Sequence, residues 1–310
     1  MSDLSMLING LSVTAEKGAT FERRNPLDGS VATRAPAASV TDAVKAADAA
    51  AQAFKTWSQT GPGERRALLL KAADALEAKT PQFIEAVGAE TGATAMWAGF
   101  NVHLAAGMLR EAASLTTQIS GEVIPSDVPG SLAMGVRQPA GVVLGIAPWN
   151  APVILGVRAI ATPLACGNTV IFKGSENCPR THQLIAQAFI DAGFPPGVVN
   201  YITNAPADAG AVVEAIVAHP AVRRVNFTGS TKVGKIIAMT CAKYLKPVVL
   251  ELGGKAPMVI LDDAVIEDAV NGAAFGCFAN SGQICMSTER IVVDQKIADA
   301  FVKQFAAKAA

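Results

Sequence analysis

The spacing of hydrophobic residues is helical over residues 39–118. Alanine and other apolar residues recur every three or four positions, and glycine or proline interrupts the pattern three times, at residues 61–63, 80–81 and 92. Such interruptions end helices, so this region is predicted to form several amphipathic helices in series. Ser39 and Thr41 are the candidates to cap the first helix.

Residues 121–139 follow a different pattern, in which glycine and proline separate short apolar pieces. This pattern is typical of a β-hairpin or an extended excursion. We expect it to project from the main body of the protein.

Beyond Pro139, short runs rich in β-branched residues alternate with longer helical patterns. Six runs are predicted strands, at residues 141–146, 169–173, 198–202, 224–228, 247–251 and 257–261. This alternation predicts an α/β fold with a doubly wound, Rossmann-like parallel sheet. Ligands of such sheets bind at the carboxyl ends of the strands, so candidate functional residues are sought there.

The composition excludes several classes of function. The 310 residues are 51% hydrophobic and 17% charged, with 26 basic and 26 acidic side chains. Without excess charge, nucleic acid is not an expected partner. No apolar run approaches the ~20 residues of a membrane-spanning helix, and the first ten residues lack the pattern of a secretory signal. We therefore expect a cytoplasmic protein without a membrane partner.

The five cysteines form no Cys-x-x-Cys pair, which favours neither a zinc site nor a disulfide framework, and no metal is expected. The length suggests about two domains. Residues 294–310 have a helical pattern with no stop signal. We expect the natural protein to be longer and this chain to end within a domain.

Two strand ends carry candidate residues for binding a nucleotide. After strand 224–228, Gly229 and Ser230 begin a turn into a helix that suits a pyrophosphate, although such a turn is also an ordinary helix cap. After strand 169–173, Lys173 and Glu176 are able to bind ribose hydroxyls, or are simply solvated loop charges.

Three further residues are candidates for catalysis. Asn150 follows strand 141–146 and is either an oxyanion donor or a cap ahead of Pro152. Glu251 ends strand 247–251, where a carboxylate is a candidate general base. Cys285 lies in a polar, glycine-containing loop that we predict between helical stretches, where a thiolate is favoured near helix N-termini. The other cysteines are interpreted as structural.

Together these motifs resemble the NAD(P)-dependent aldehyde dehydrogenases. The resemblance covers nearly the whole chain and rests on ING, NPLDG, PWNAP, FKGSE, FTGSTKVG, ELGGKAP and GQICMS, in the family's order. It implies that Cys285 is the nucleophile, that Glu251 activates the deacylating water, and that the Asn150 amide stabilises the oxyanion together with the Cys285 backbone N–H. It further implies a cofactor site formed by Trp149, Lys173, Glu176, Gly229, Ser230 and Gly234.

The resemblance also implies a reaction. An aldehyde is oxidised to a carboxylic acid through a thiohemiacetal and a thioester on Cys285, with hydride transfer to the nicotinamide. Glu176 accepts hydrogen bonds from a free 2′-hydroxyl and repels a 2′-phosphate, so we predict NAD rather than NADP. At Gly174 the sequence departs from the family's commoner proline, and the two contacting residues remain in place.

The substrate is predicted from three positions. Ala151 stands where the family often has a bulky aromatic residue, Arg158 occupies a position that resembles part of the substrate tunnel, and Trp97 is able to stack on a ring. These features favour a hydroxylated aromatic aldehyde such as salicylaldehyde or vanillin. Arg158 as a structural ion pair and Trp97 as a core residue are the alternatives.

Other functions stay open. They are oxidation of aliphatic aldehydes or semialdehydes, a variant that passes the acyl group to coenzyme A, and a catalytically silent binding or scaffold protein. The expected organisation is an NAD-binding domain at 1–120 and 140–252, an oligomerisation hairpin at 121–139, and the first part of an α/β catalytic domain at 253–310. A homodimer or homotetramer of the full-length protein is expected.

Overall fold

The computed structural model describes residues 2–310, and these divide into two compact units. The first unit extends to Thr228 and includes Lys232–Leu250, and the second contains Gly229–Thr231 and Glu251–Ala310.

The first unit begins with five short strands that the hydrophobic pattern does not reveal. They are β1 (Ser2–Asp3), β2 (Met6–Ile8), β3 (Leu11–Val13), β4 (Thr20–Arg24) and β5 (Val31–Pro36). Strand β5 lies between β1 and β4 in a three-stranded sheet, parallel to β1 and antiparallel to β4. A single turn of 3-10 helix at Glu16–Gly18 connects β3 to β4.

Four helices follow, as the helical spacing predicts: α1 (Val40–Trp57), α2 (Pro62–Ala78), α3 (Thr80–Thr91) and α4 (Ala95–Leu115). Ser39 caps α1 in a reciprocal arrangement, because its hydroxyl accepts from the Asp42 backbone N–H and the Asp42 carboxylate accepts from the Ser39 backbone N–H, at 3.2 and 3.1 Å. Gly92, at φ 73°, ends α3 in the left-handed region. The predicted interruptions are thus confirmed as helix boundaries.

The predicted hairpin is also present. Strands β6 (Glu122–Ile124) and β7 (Ala133–Gly135) pair antiparallel, with Val123 opposite Met134. Both of these side chains are exposed. An isolated two-stranded hairpin with an apolar surface is marginally stable in water, so its exposed face is suited to contact with another protein surface.

The central sheet alternates strands and helices: β8 (Val142–Ile146), α5 (Pro152–Ala165), β9 (Thr169–Lys173), α6 (Pro179–Asp191), β10 (Val199–Ile202), α7 (Ala209–Ala218), β11 (Val222–Thr228), α8 (Thr231–Lys243) and β12 (Val248–Glu251). The strand order is β12-β11-β8-β9-β10-β2-β3, and β11, β8, β9 and β10 are parallel. The predicted α/β fold with a doubly wound parallel sheet is confirmed.

The N-terminal strands extend this sheet in the antiparallel sense. Strand β2 pairs with β10, with Leu7 opposite Tyr201, and β3 pairs with β2. The Asn9 backbone N–H donates to the Asn200 side-chain oxygen at 2.9 Å across 191 positions of sequence. Strand β10 is therefore an interior strand, since β2 and β3 cover its outer edge.

Helices cover both faces of the sheet. From β8 the chain winds outward through β9 to β10, and it then returns to β11, beside β8, and winds the other way to β12. Helix α5 packs against α6 and α4, and α1 packs against α7. The core between them contains large aliphatic and aromatic side chains, among them Leu164, Phe172, Phe189, Leu109 and Trp57. Burial of each such side chain stabilises the fold by about 1.5–3 kcal/mol.

The second unit contains β13 (Ala256–Ile260), α9 (Ile266–Phe278), a 3-10 turn at Ala279–Gly282, β14 (Thr288–Val293) and α10 (Ala298–Ala309). Strands β13 and β14 form a parallel pair of their own, so the predicted strand 257–261 exists but does not join the central sheet. Its core includes Ile260, Val270 and Phe301.

Across residues 2–310, no helix has both the length and the apolar character needed to cross a membrane.

Candidate active site

The direction of winding reverses between β8 and β11. These two strands are neighbours, with Ile146 opposite Phe227 at their carboxyl ends. The crevice outside such a switch point is where doubly wound sheets bind ligands. Trp149 and Asn150 follow β8 in this place, Ala151 occupies the N-cap position of α5, and Pro152 is its first residue.

The loop that carries Asn150 is held from α4. The Trp97 indole N–H donates to the Asn150 backbone oxygen at 2.9 Å, and the Thr94 hydroxyl caps α4 at the Trp97 N–H. The Trp97 ring stacks on Phe100 with centroids 5.6 Å apart. Trp97 is therefore a support for the Asn150 loop, and Asn150 does not occupy the cap position that the alternative interpretation assigned to it.

Arg158, on α5, donates from its guanidinium to the Thr228 hydroxyl at 3.0 Å. It also lines a cavity of about 450 Å³ together with Val143, Thr162 and Val225. Neither Trp97 nor Ala151 lines this cavity. Of the three predicted substrate residues, only Arg158 lines this cavity.

Lys173 and Glu176 form an ion pair at the end of β9. Lys173 Nζ and Glu176 Oε1 are 2.6 Å apart, and the side chains are 5% and 23% exposed. Burial raises the pKa of the Glu176 carboxyl, but the Lys173 ammonium and the Asn204 amide outweigh this effect and hold it below its ordinary value. Glu176 is therefore an ionised acceptor at neutral pH, as ribose hydroxyls require.

A buried histidine lies directly behind this pair. His182, on α6, accepts the Ser175 backbone N–H at Nδ1, 3.0 Å away, and its ring contacts Phe172 at 4.9 Å between centroids. Burial, aided by the nearby Lys173 charge, lowers its pKa to about 3. His182 is therefore neutral, and it fixes the loop that carries Glu176.

The start of α6 is capped from another helix. Glu90, near the end of α3, is fully buried and accepts the backbone N–H groups of Arg180 and Thr181 at 2.7 and 2.9 Å, as well as the Thr33 and Thr181 hydroxyls. Burial raises its pKa although these hydrogen bonds oppose the shift. A carboxyl group thus takes the place of the cap that Cys178 does not provide.

The turn predicted to meet the pyrophosphate lies between β11 and α8. Gly229 and Ser230 separate these elements, and the first backbone N–H groups of a helix that starts at Thr231 have no partner within the helix. Gly234 is buried within α8. The Gly229 backbone N–H donates to the Glu251 backbone oxygen at 3.0 Å, and the Glu251 side chain is exposed.

The loop of Cys285 has an unusual backbone. Asn280, Ser281 and Gly282 take φ of 49°, 57° and 72°, so three consecutive residues are left-handed. The Ser287 hydroxyl returns to the Gly282 oxygen at 3.2 Å, and its backbone N–H donates to Ile284. Cys285 is partly exposed between these bonds. Strained backbone of this kind is concentrated at functional sites.

One sequence expectation at this loop is wrong. Cys285 was expected between helical stretches, but the segment after it is β14, and the element before it is the 3-10 turn at Ala279–Gly282. No helix begins beside the thiol, because the hydrophobic alternation of residues 288–293 forms a strand against β13. Asn150 lies in the first unit, whereas Glu251 and Cys285 lie in the second.

Within residues 2–310 no three His, Cys, Asp or Glu side chains are grouped so that they could hold a metal ion.

Sequence reasoning missed Asn204, His182 and Glu90. Asn204 comes two residues after β10, and a search for polar residues beyond every parallel strand would have found it. His182 and Glu90 are placed by packing between distant helices, which spacing along the chain does not report.

The fold is that of a doubly wound α/β protein with a crevice at its switch point. The family profile for aldehyde dehydrogenases matches residues 13–310. The chain belongs to the aldehyde dehydrogenase family.

Three proteins are similar to this chain in sequence or in structure. A vanillin dehydrogenase from Pseudomonas fluorescens is 63% identical over 99% of this chain and 64% of its own length. A salicylaldehyde dehydrogenase from Pseudomonas sp. (strain C18) is 54% identical over 98% of this chain and 63% of its own length. The crystal structure of a salicylaldehyde dehydrogenase from Pseudomonas putida G7, complexed with salicylaldehyde, matches with a TM-score of 0.97 at 54% identity, over 99% of this chain and 64% of that one. The chain therefore spans about 64% of the length of these relatives.

Proposed function

We propose that the protein containing this chain oxidises a hydroxylated aromatic aldehyde to its carboxylic acid with NAD. The observation that carries the proposal is the Lys173–Glu176 pair beside a switch-point crevice, in a chain whose close relatives are vanillin and salicylaldehyde dehydrogenases. Aliphatic aldehydes or semialdehydes as substrates, and coenzyme A as acyl acceptor, are alternatives within the same chemistry.

A nicotinamide dinucleotide is the cofactor that we assign to these strand-end residues. Lys173 and Glu176 are assigned to the adenosine ribose, and Trp149, Gly229, Ser230 and the helix that contains Gly234 to the rest of the nucleotide. Glu176 is ionised, so it accepts from a 2′-hydroxyl and repels a 2′-phosphate, which supports NAD over NADP. When bound, the nicotinamide supplies the hydride acceptor.

Cys285 is assigned the role of nucleophile. Its thiolate sulfur forms a bond to the aldehyde carbon, and the carbonyl oxygen becomes an oxyanion. The Asn150 side-chain amide and the Cys285 backbone N–H are the assigned donors to this oxygen. A single donor of this kind is worth about 3–4 kcal/mol in the transition state.

Glu251 is assigned the role of general base in the second half of the reaction. Its carboxylate removes a proton from water, the hydroxyl oxygen attacks the thioester carbon on Cys285, and the carbon–sulfur bond breaks to release the carboxylate product and the thiolate. A free carboxylate at the end of β12 supports hydrolysis over transfer to coenzyme A.

Ala151, Arg158 and Trp97 are proposed to determine the preference for an aromatic ring. Ala151 leaves room beside Asn150, Arg158 supplies a positive charge, and Trp97 keeps the loop in place through the Asn150 backbone. The exposed hairpin of β6 and β7 supports a homodimer or homotetramer. The proposed domain limits stay at residues 120, 140 and 252. The cytoplasmic location expected from the sequence is part of this proposal.

The proposal is tested by NADH formation at 340 nm in the full-length protein, with salicylaldehyde, vanillin, benzaldehyde and hexanal. We expect Cys285→Ala to lower turnover at least about a thousandfold, because nucleophile and general catalysis act together. Cys241→Ala, at a buried cysteine on α8, is the matched control and should retain activity.

Equal turnover of all four aldehydes would contradict the aromatic preference. Binding of NAD without turnover of any aldehyde would instead support a catalytically silent binding protein, the candidate function of another class.

A further inference from the structure

Asn204 contacts the proposed ribose-binding carboxylate from the neighbouring strand. It comes after β10, which is parallel to β9 with Ile202 opposite Lys173. The Asn204 side-chain N–H donates to Glu176 Oε1 at 2.9 Å, and Lys173 binds the same oxygen at 2.6 Å. Two donors on one oxygen fix both the position and the rotation of the carboxylate.

The orientation of the Asn204 amide follows from its partners. Nδ2 donates to Glu176 Oε1 and to the Ala205 backbone oxygen, both at 2.9 Å, and both partners are acceptors only. The residue is fully buried, and its Oδ1 has no hydrogen-bond partner among the described residues. A buried amide oxygen without a partner lowers stability, so the favourable contribution of this side chain comes from its N–H.

The backbone that carries Asn204 is anchored independently of Glu176. The Thr203 hydroxyl donates to the Pro36 oxygen at 2.6 Å, and the Thr203 backbone oxygen accepts from the Ala38 N–H at 2.9 Å. The Gly174 N–H donates to the Ile202 oxygen at 2.9 Å, which links the two loops. The amide is therefore presented to Glu176 from a rigid support.

We propose that Asn204 is a positioning residue that sets the preference of this site for a 2′-hydroxyl over a 2′-phosphate, which rests on the proposed function. With Asn204 in place, Glu176 stays on Lys173, and the pair presents a carboxylate to the sugar. Without it, the partly exposed Glu176 side chain rotates away and leaves the Lys173 ammonium to attract a phosphate. Asn204 itself is buried and acts only through Glu176.

The test measures dissociation constants of NAD and NADP by titration calorimetry on the full-length protein. We expect Asn204→Leu to weaken NAD binding about tenfold or more and to leave NADP binding unchanged or tighter. The ratio of the Kd of NADP to the Kd of NAD should therefore fall at least about tenfold, as loss of one charge-assisted hydrogen bond predicts. Asn204→Ser, which is too short to reach Glu176, should behave in the same way and serves if the leucine variant does not fold.

Two further variants separate positioning from structure. Thr203→Val removes the side-chain anchor to Pro36 but keeps the backbone hydrogen bond from Ala38, so it should lower the melting temperature without changing the ratio. In a Glu176→Gln background, Asn204→Leu should change the ratio no further, since coupled residues are not additive.

The outcomes distinguish the two proposals. Wild-type protein that binds neither nucleotide contradicts the proposed function. If the wild-type protein prefers NAD, three results would overturn the role of Asn204. They are an unchanged ratio in both Asn204 variants, an equal fall of the ratio in Thr203→Val, and an effect of Asn204→Leu that persists in the Glu176→Gln background.

Discussion

At the ends of β9 and β10, three side chains hold one another in place, whereas around Cys285 the backbone itself takes an unusual course. Lys173, Glu176 and Asn204 are linked by bonds of 2.6 and 2.9 Å. The loop of Cys285 instead has three left-handed residues in a row. The first region depends on charges and hydrogen bonds between side chains, and the second depends on backbone conformation. The first should therefore be sensitive to substitutions that change charge, and the second to substitutions that change the allowed backbone angles.

The largest expected effect is at Lys173. Lys173→Met removes the cation from a largely buried pair and leaves the Glu176 carboxylate without an opposite charge, so the free energy of unfolding should fall by about 3 kcal/mol. Urea unfolding at pH 7 measures it. The control is Lys243→Met, since Lys243 pairs with Glu214 at the surface and its loss should change stability little. Equal losses of stability in the two variants would contradict a special role of burial in the Lys173–Glu176 pair.

Gly174→Ala tests the packing under the same site. An added Cβ would lie 2.8 Å from the Tyr201 ring and hydroxyl, which is closer than side chains tolerate. We expect a loss of about 1–3 kcal/mol in the free energy of unfolding. The double substitution Gly174→Ala with Tyr201→Leu should recover part of this loss. If the single substitution has no effect, Tyr201 does not fill the space that Gly174 leaves.

His182 gives the first unit a predictable dependence on pH. Its pKa is about 3 in the folded protein and about 6.5 when unfolded, so the unfolded chain binds the extra proton first. This contribution to stability is complete above pH 6.5 and declines as the pH falls toward 3. The decline between pH 7 and pH 5 should be about 2 kcal/mol.

Urea unfolding at these two pH values measures the decline, and His182→Asn should reduce it. His103→Asn, at an exposed histidine on α4, is the matched control and should retain the wild-type decline. An unchanged decline in His182→Asn would mean that another group is responsible.

The smallest expected effect is in the Cys285 loop. Gly282→Ala places a side chain at φ 72°, with its Cβ 3.1 Å from the Cys277 oxygen, and should lower the free energy of unfolding by about 1 kcal/mol. Ser281→Gly, at φ 57°, relieves a similar conformation and should cause no loss. Thermal melts of both variants decide between backbone strain and side-chain contacts as the basis of this loop.

The predictability of these features depends on how local they are. The boundaries of α1–α4 could be predicted because Gly61, Pro62, Pro81 and Gly92 mark them directly in the sequence. Strands β8 to β12 of the central sheet were predicted because each is a short apolar run between helical patterns. Strands β1 to β5 were not, since runs of two to six residues are too short for a clear periodic pattern.

The candidate site was predicted unevenly for the same reason. Lys173 and Glu176 were found as candidates because they follow a predicted strand end, but their ion pair was not predicted. The contacts of Trp97 with Asn150 and of Asn204 with Glu176 join distant segments, and only the folded chain brings them together. At Cys285 the polar loop was recognised, but the strand after it was not.

The pairing of β2 with β10 has a consequence for how the protein is made. Residues 6–8 leave the ribosome early, yet their partner strand is synthesised more than 190 positions later. Closing so long a loop makes this pairing a slow step of folding. Until it happens, β10 presents an open edge during synthesis, when unpaired strands are most prone to aggregate. Chaperone dependence of this chain should therefore increase when β2 is weakened.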